Sequence, residues 1–171
     1  MSGFNHPHRM RNVLTGLRRS SGQAAVEFTL TFLLFLIIAW IPADFGLAFY
    51  TGQLALNASR EGARIAAADP TLTTGTTSCT MPSCSGNIFQ ETAGRISSAL
   101  LPGATITLSL DADTGANCNR MVSVTVTGTY NFFFYQLLHW MGISGNLDNT
   151  LIIRQTSMKW EHQAGCGFAD A

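Results

Sequence analysis

Glu27 stands at the mouth of a long apolar run, followed by Phe28 to Ala43 without a single charge. Lipid solvates ions poorly, so an acid at such a place is costly alone and marks chemistry. Gln23 lies four residues earlier, hence on the same face of a helix. The small residues Ser20, Ser21 and Gly22 precede Gln23, and Arg18-Arg19 precede those. A carboxylate here has two roles open to it. It can neutralise an ammonium group in apolar surroundings, in its own chain or a neighbour's. Or it can sit in the headgroup layer as an acid near a helix N-terminus, favoured by the helix dipole.

The element that must position Glu27 is a membrane helix. Phe28 to Tyr50, interrupted only by Asp44, is long enough to span a bilayer, which takes roughly 20 apolar residues. An ordinary secretory signal has a shorter apolar region followed by a small-x-small site; here the small residues come first. Pro42 removes a backbone donor, so a kink or melted turn is expected between Ile38 and Pro42. Asp44 reads as the outer boundary of the bilayer. Of the 171 residues, 46% are hydrophobic and 12% charged, with a mean hydropathy of +0.18. The net charge of zero hides an asymmetry. The first 22 residues hold four arginines and no acid, which leaves six basic against ten acidic residues beyond Gly22, a net of −4. Basic residues before an apolar segment stay cytoplasmic, so the C-terminal side is expected to be exported. A mildly acidic body argues against nucleic acid as a partner, since that needs a basic surface facing phosphate.

The junction Gly22-Gln23-Ala24-Ala25-Val26-Glu27-Phe28 resembles the processing site of type IV pilin-like precursors. That resemblance implies cleavage after Gly22 by a prepilin peptidase on the cytoplasmic side. Gln23 would then be the first mature residue, with a free α-amine one turn from Glu27. It also implies that Glu27 pairs with a neighbouring subunit's amine and sets axial register.

Residues 51 to 68 continue helically to Asp69-Pro70. Leu47, Leu54, Ala58, Gly62 and Ile65 form one stripe. Glu61 and Arg64 are placed to pair at i,i+3. A helix from Gln23 to Ala68 would be ~69 Å long, so its second half is expected to stand outside the membrane and pack on a head. Arg60-Glu61-Gly62-Ala63-Arg64-Ile65-Ala66 resembles the Arg-x-Gly-Ala-Arg-x-Ala element of TadE-like proteins, minor pseudopilins of the tight-adherence (Flp) pilus system. In this resemblance Gly62 packs against another element and Arg60 and Arg64 contact neighbouring subunits; a solvated face is the other reading of the two arginines.

Beyond the helix, residues 71 to 86 read as a Thr/Ser/Gly/Pro/Cys loop, and 87 to 101 as an amphipathic helix with Ile88, Ala93, Ile96 and Leu100 on one side. Ile106, Leu108 and Leu110 share a strand face, as do Val122, Val124 and Val126, in an antiparallel pair. A third strand covers 150 to 160. Six of the eleven residues from Tyr130 to Trp140 are aromatic. They either fill the core under the helix or form a patch that meets another subunit or the membrane surface. The strand from Val122 into Tyr130-Asn131-Phe132-Phe133, and the ending Met158-Lys159-Trp160-Glu161, also resemble TadE-like proteins. The expected fold is α+β: a long pilin-like helix, membrane-spanning in its first half, packed on a small antiparallel-sheet head. The expected division is a leader at 1–22, a transmembrane half at 23–50, an extramembrane half at 51–68 and a periplasmic head at 69–171.

All four cysteines follow the apolar segment. In an oxidising compartment they allow three connectivities. A local Cys79–Cys84 bridge would leave Cys118 with Cys166; four free thiols is the alternative. Neither the cysteines nor His139 and His162 have zinc-ligand spacing, and Asp111-x-Asp113 lacks the rest of a calcium loop. No metal and no cofactor are expected. No nucleophile triad or phosphate loop is present, which argues against an enzyme.

The function the resemblance implies is a non-catalytic minor pilin-like subunit in assembly of a tight-adherence type IV pilus. The resemblance implies as partners the prepilin peptidase, other minor pseudopilins, the major pilin, the inner-membrane assembly platform and membrane lipid. It places the chain in the bacterial inner membrane, crossing once, with the N-terminus cytoplasmic and the head periplasmic, or extracellular within the pilus. The alternative is a membrane-anchored periplasmic binding or sensor domain that never enters a filament; it would keep its leader.

Overall fold

Leu- and Ala-rich sequence favours a helix, and the first element is one. The computed structural model describes residues 13–112, 119–140, 142 and 149–163. Helix α1 covers Val13–Ala67. Two of its threonines return their hydroxyls to the helix itself: Thr29 donates to the carbonyl of Ala25 and Thr51 to that of Leu47, both at 2.8 Å. That internal bonding lets a hydroxyl sit on an apolar helix without water. Helix continues through Pro42, so the melted turn expected there is absent; the loss is confined to the one backbone donor that proline lacks.

The chain divides into two compact units, one ending at Ala43 and one beginning at Asp44. In the first, the described side chains from Val26 to Ile41 are exposed all round. Gly22–Ala67 is long and apolar enough to cross a membrane.

The second unit is α+β. After the 44–67 part of α1 come β1 (Gly75–Thr80), α2 (Asn87–Gly94), β2 (Thr105–Leu110), β3 (Met121–Asn131), α3 (Phe133–Trp140) and β4 (Asn149–Lys159). The sheet has the order β1-β2-β3-β4, antiparallel throughout. Register decides which residues face the helix. Val122, Val124 and Val126 lie opposite Leu110, Leu108 and Ile106 on one side, and opposite Met158, Thr156 and Arg154 on the other. Directly opposed residues share a sheet face, so one face is a Val/Ile/Leu layer. That layer, with Leu101, Ile152 and Trp160, forms the core with Ala55, Ala58, Ala63 and Ala66 of α1. Burying a Val, Leu or Ile stabilises by about 1.5–3 kcal/mol each.

Three expectations are corrected. Residues 75–80 are a strand, not part of a loop: Thr, Ser and Gly carry little strand pattern, yet their backbone pairs with all six residues of β2. The helix expected over 87–101 stops at Gly94, where turns take over before Leu101. The sheet accordingly has four strands rather than three. The packing stripe of α1 also differs. Leu47 is exposed, and the buried positions are Asp44, Thr51, Gly52, Ala55, Ala58, Ser59, Gly62, Ala63, Ala66 and Ala67. Small residues let the helix backbone lie close to the sheet, so the largest apolar side chains are not those that face the core.

Candidate functional site along the long helix

The amide of Gln23 donates to Glu27 Oε1 at 3.0 Å. One helical turn thus brings these two residues into contact, as i,i+4 geometry requires. Phe28 and Phe32 stack one turn on, with ring centroids 5.9 Å apart. A side chain at Gly22 would meet nothing within 4 Å. The apolar surface from Val26 onward is far larger than a soluble monomer leaves in water. It is compatible with a membrane anchor.

The arginine-glycine element of α1 is split by the fold. A Cβ on Gly62 would collide with the hydroxyl of Thr92 in α2 and lie 3.2 Å from Val124 Cγ1 in β3. Thr92 itself is buried, and its hydroxyl donates to the carbonyl of Ile88 at 2.7 Å. Gly62 therefore sits where two elements touch the helix, and Ala63 and Ala66 are buried beside it. Arg60 and Arg64 are exposed. Glu61 lies between the two sets and receives Arg64 at 2.8 Å and Arg95 at 3.2 Å. Its bond with Arg64 holds the Glu61 carboxyl below its ordinary range. Exposed pairs of this kind add little stability.

Two features that fasten α1 to the head escaped sequence reasoning. The first is Asp44, which is 3% exposed. The hydroxyl of Tyr130 donates to Asp44 Oδ1 at 3.0 Å, and the backbone N–H of Phe134 donates to Asp44 Oδ2 at 2.8 Å. Phe134 is in the first turn of α3, where N–H groups lack intrahelical partners. A carboxylate there also suits the positive end of the helix dipole. Asp44 is thus a cap supplied from another helix, and its role as a mere boundary marker is too weak a reading. Burial, reinforced by the bond to Asp44, pushes the Tyr130 phenol up to about 12.

The second is at the C-terminus of α1, where the last carbonyls have no intrahelical donors. The chain after β4 supplies them. Glu161 N–H donates to the carbonyl of Ala67, and the Trp160 indole N–H to that of Asp69, each at 3.0 Å. His162 Nε2 lies 3.0 Å from the carbonyl of Ala68. Arg120 covers the Trp160 ring at 4.7 Å. Asp69 closes the turn by accepting from Thr71 N–H at 2.9 Å and from its hydroxyl at 2.7 Å, which lowers the Asp69 carboxyl. The ending Lys159-Trp160-Glu161 therefore seals the helix end. The sequence held one clue, a tryptophan beside an acid just past the last strand.

Cys79 and Cys84 form a disulfide that joins β1 to the turn beyond it. Cys118, Cys166 and Asp113 lie outside the described residues. Among the described residues no cluster of three or more His, Cys, Asp or Glu could hold a metal ion.

Residues 22–64 match the family model described as TadE-like protein. No curated protein and no solved structure matches the chain.

Proposed function

We propose that this chain, TadE-like over residues 22–64, is a non-catalytic minor pilin-like subunit that takes part in assembling a tight-adherence type IV pilus. The observation that carries the reading is where the match begins and ends. It starts at Gly22, passes through Glu27 and the apolar run, and closes at Arg64. The glycine-acid junction and the arginine-glycine element thus fall in one matched segment, on one helix.

In this reading a prepilin peptidase removes residues 1–22 and frees the amine of Gln23. Glu27 then pairs with such an amine on a neighbouring subunit, which neutralises a charge that lipid would penalise. Residues 23–50 are the transmembrane half of the helix, 51–68 continue it outside, and 69–171 are the periplasmic head. Arg60 and Arg64, exposed on the outer helix face, meet other pseudopilins or the major pilin. The chain crosses the inner membrane once, with its N-terminus in the cytoplasm, beside the assembly platform.

The test is the intact mass of the protein extracted from membranes of cells that carry the full pilus system. Loss of residues 1–22 supports the reading. A species that keeps its leader supports a signal-anchored sensor instead, and cleavage beyond the apolar run overturns the pilin-like reading.

A further inference from the structure

Strand β1 is fastened to the head differently from the other strands. Its residues are exposed except Cys79, which is half-buried. From Gly75 to Gly86 the side chains that reach the core are those of Cys79, Met81 and Cys84. Thr and Ser remove little apolar area from water, so burial alone holds such a strand weakly. What remains is a backbone ladder of six paired residues with β2 and the Cys79–Cys84 bridge.

Two glycines bracket the segment. Gly75 has a φ of +133° and Gly86 one of +92°, a region that glycine enters without steric cost. They give residues 75–86 a hinge at each end. Just before the first hinge the chain is held, because Arg120 Nη2 donates to the Thr74 hydroxyl at 2.6 Å. The bridge closes inside the segment. Cys79 stands opposite Ile106 of β2, and Cys84 follows the turn in which Ser83 N–H donates to the Thr80 carbonyl at 3.0 Å.

The ladder shows what β1 covers. Met81 N–H donates to the Ala104 carbonyl at 2.9 Å. Bonded pairs alternate along an antiparallel ladder, so Cys79–Ile106, Thr77–Leu108 and Gly75–Leu110 are the bonded pairs. Ile106, Leu108 and Leu110 belong to the core. When β1 lifts, their backbone N–H and C=O groups become a free edge. Strand β2, Thr-Ile-Thr-Leu-Ser-Leu, carries no charge and no proline, the usual guards against pairing with a foreign strand.

We propose that the Cys79–Cys84 bridge is a redox latch on β1. Oxidised, it keeps β1 over the edge of β2. Reduced, it lets residues 75–86 open while β2, β3 and β4 stay folded. Closing the latch forms one S–S bond: the two thiols give up two protons and two electrons. A disulfide oxidant, the disulfide form of a dithiol oxidoreductase, takes them up and becomes a dithiol. The covered edge therefore belongs to an oxidising compartment and the open one to a compartment that keeps thiols reduced. The inference requires neither cleavage after Gly22 nor a pilus.

The test is amide hydrogen exchange of the full-length chain in detergent. Three samples are compared: oxidised wild type, wild type reduced with dithiothreitol and alkylated, and the double variant Cys79→Ser/Cys84→Ser. The amides of Thr77 and Met81 should exchange about tenfold faster or more in the second and third samples, the scale on which closing so short a loop acts. The amides of β3 should keep their protection. Equal protection of Thr77 and Met81 in all three samples overturns the latch. Loss of protection across β3 as well also overturns it, since the bridge would then support the whole head. A loss on reduction that the double variant does not reproduce assigns the effect to Cys118 or Cys166 and overturns it likewise.

Discussion

Tyr130 and Asp44 stand 86 residues apart in the chain and 3.0 Å apart in the fold, the phenol donating to the carboxylate. Asp44 also accepts from the first turn of α3. One buried acid thus joins the start of the head's helix, the end of β3 and the start of α3. Asp44→Ala leaves a buried hydroxyl and a backbone N–H without their acceptor, at about 1–3 kcal/mol for each unsatisfied group. Denaturant unfolding of the head in detergent should show the loss, with Asp44→Asn milder because an amide oxygen still accepts. An unchanged midpoint for Asp44→Ala would remove Asp44 from the account of how the head is held.

The same pair sets an alkaline limit. The Tyr130 phenol is raised from 10.0 to about 12 in the folded state. A raised value means the folded state holds its proton longer. The stabilisation is therefore full below the unfolded value and is lost as pH climbs through about 12. Tyr130→Phe should flatten this part of the stability profile, and spectroscopic titration should show one tyrosine ionising late. Three tyrosines titrating together near their ordinary value would contradict it.

Gly62 is predicted to be the least replaceable glycine in the helix. Gly62→Val drives a side chain into Thr92 and Val124, and overpacking of this kind costs roughly 1–3 kcal/mol. A methyl group added at Gly94, in α2, would meet nothing within 4 Å, so Gly94→Ala should be neutral or slightly stabilising. Thermal unfolding of the two variants side by side reads the difference. Equal behaviour would mean that α2 shifts freely away from α1.

Glu27→Ala should leave cleavage after Gly22 intact while weakening co-purification with other pilus subunits. Replacing Gly22 by Phe should instead block maturation, seen as a retained leader by mass. Unchanged association of Glu27→Ala would leave the acid in the headgroup role that the helix dipole alone explains.

Arg60→Ala and Arg64→Ala should leave the melting temperature of the head unchanged, because both side chains are exposed and surface pairs contribute little. If these arginines meet neighbouring subunits, the double variant should lose crosslinks to them in whole cells. Retained crosslinking with retained stability would assign both to a solvated face.

What the residues determined by themselves was everything carried by local spacing. The apolar run from Phe28, the contact of Gln23 with Glu27, the pairing of Glu61 with Arg64 and the alternation of Val122, Val124 and Val126 all follow from helix and strand periods. The Cys79–Cys84 bridge is local in the same sense. Tertiary structure decided what depends on partners far along the chain. Strand β1 exists because β2 offers it a backbone edge, which Thr and Ser side chains do not announce. The buried stripe of α1 is made of small residues because the sheet approaches its backbone, so a search for large apolar side chains misplaced it at Leu47. Asp44 and Trp160 looked peripheral until distant donors and acceptors met them. A polar group is tolerated inside a protein only when its hydrogen bonds are satisfied, and where those partners lie is a property of the fold.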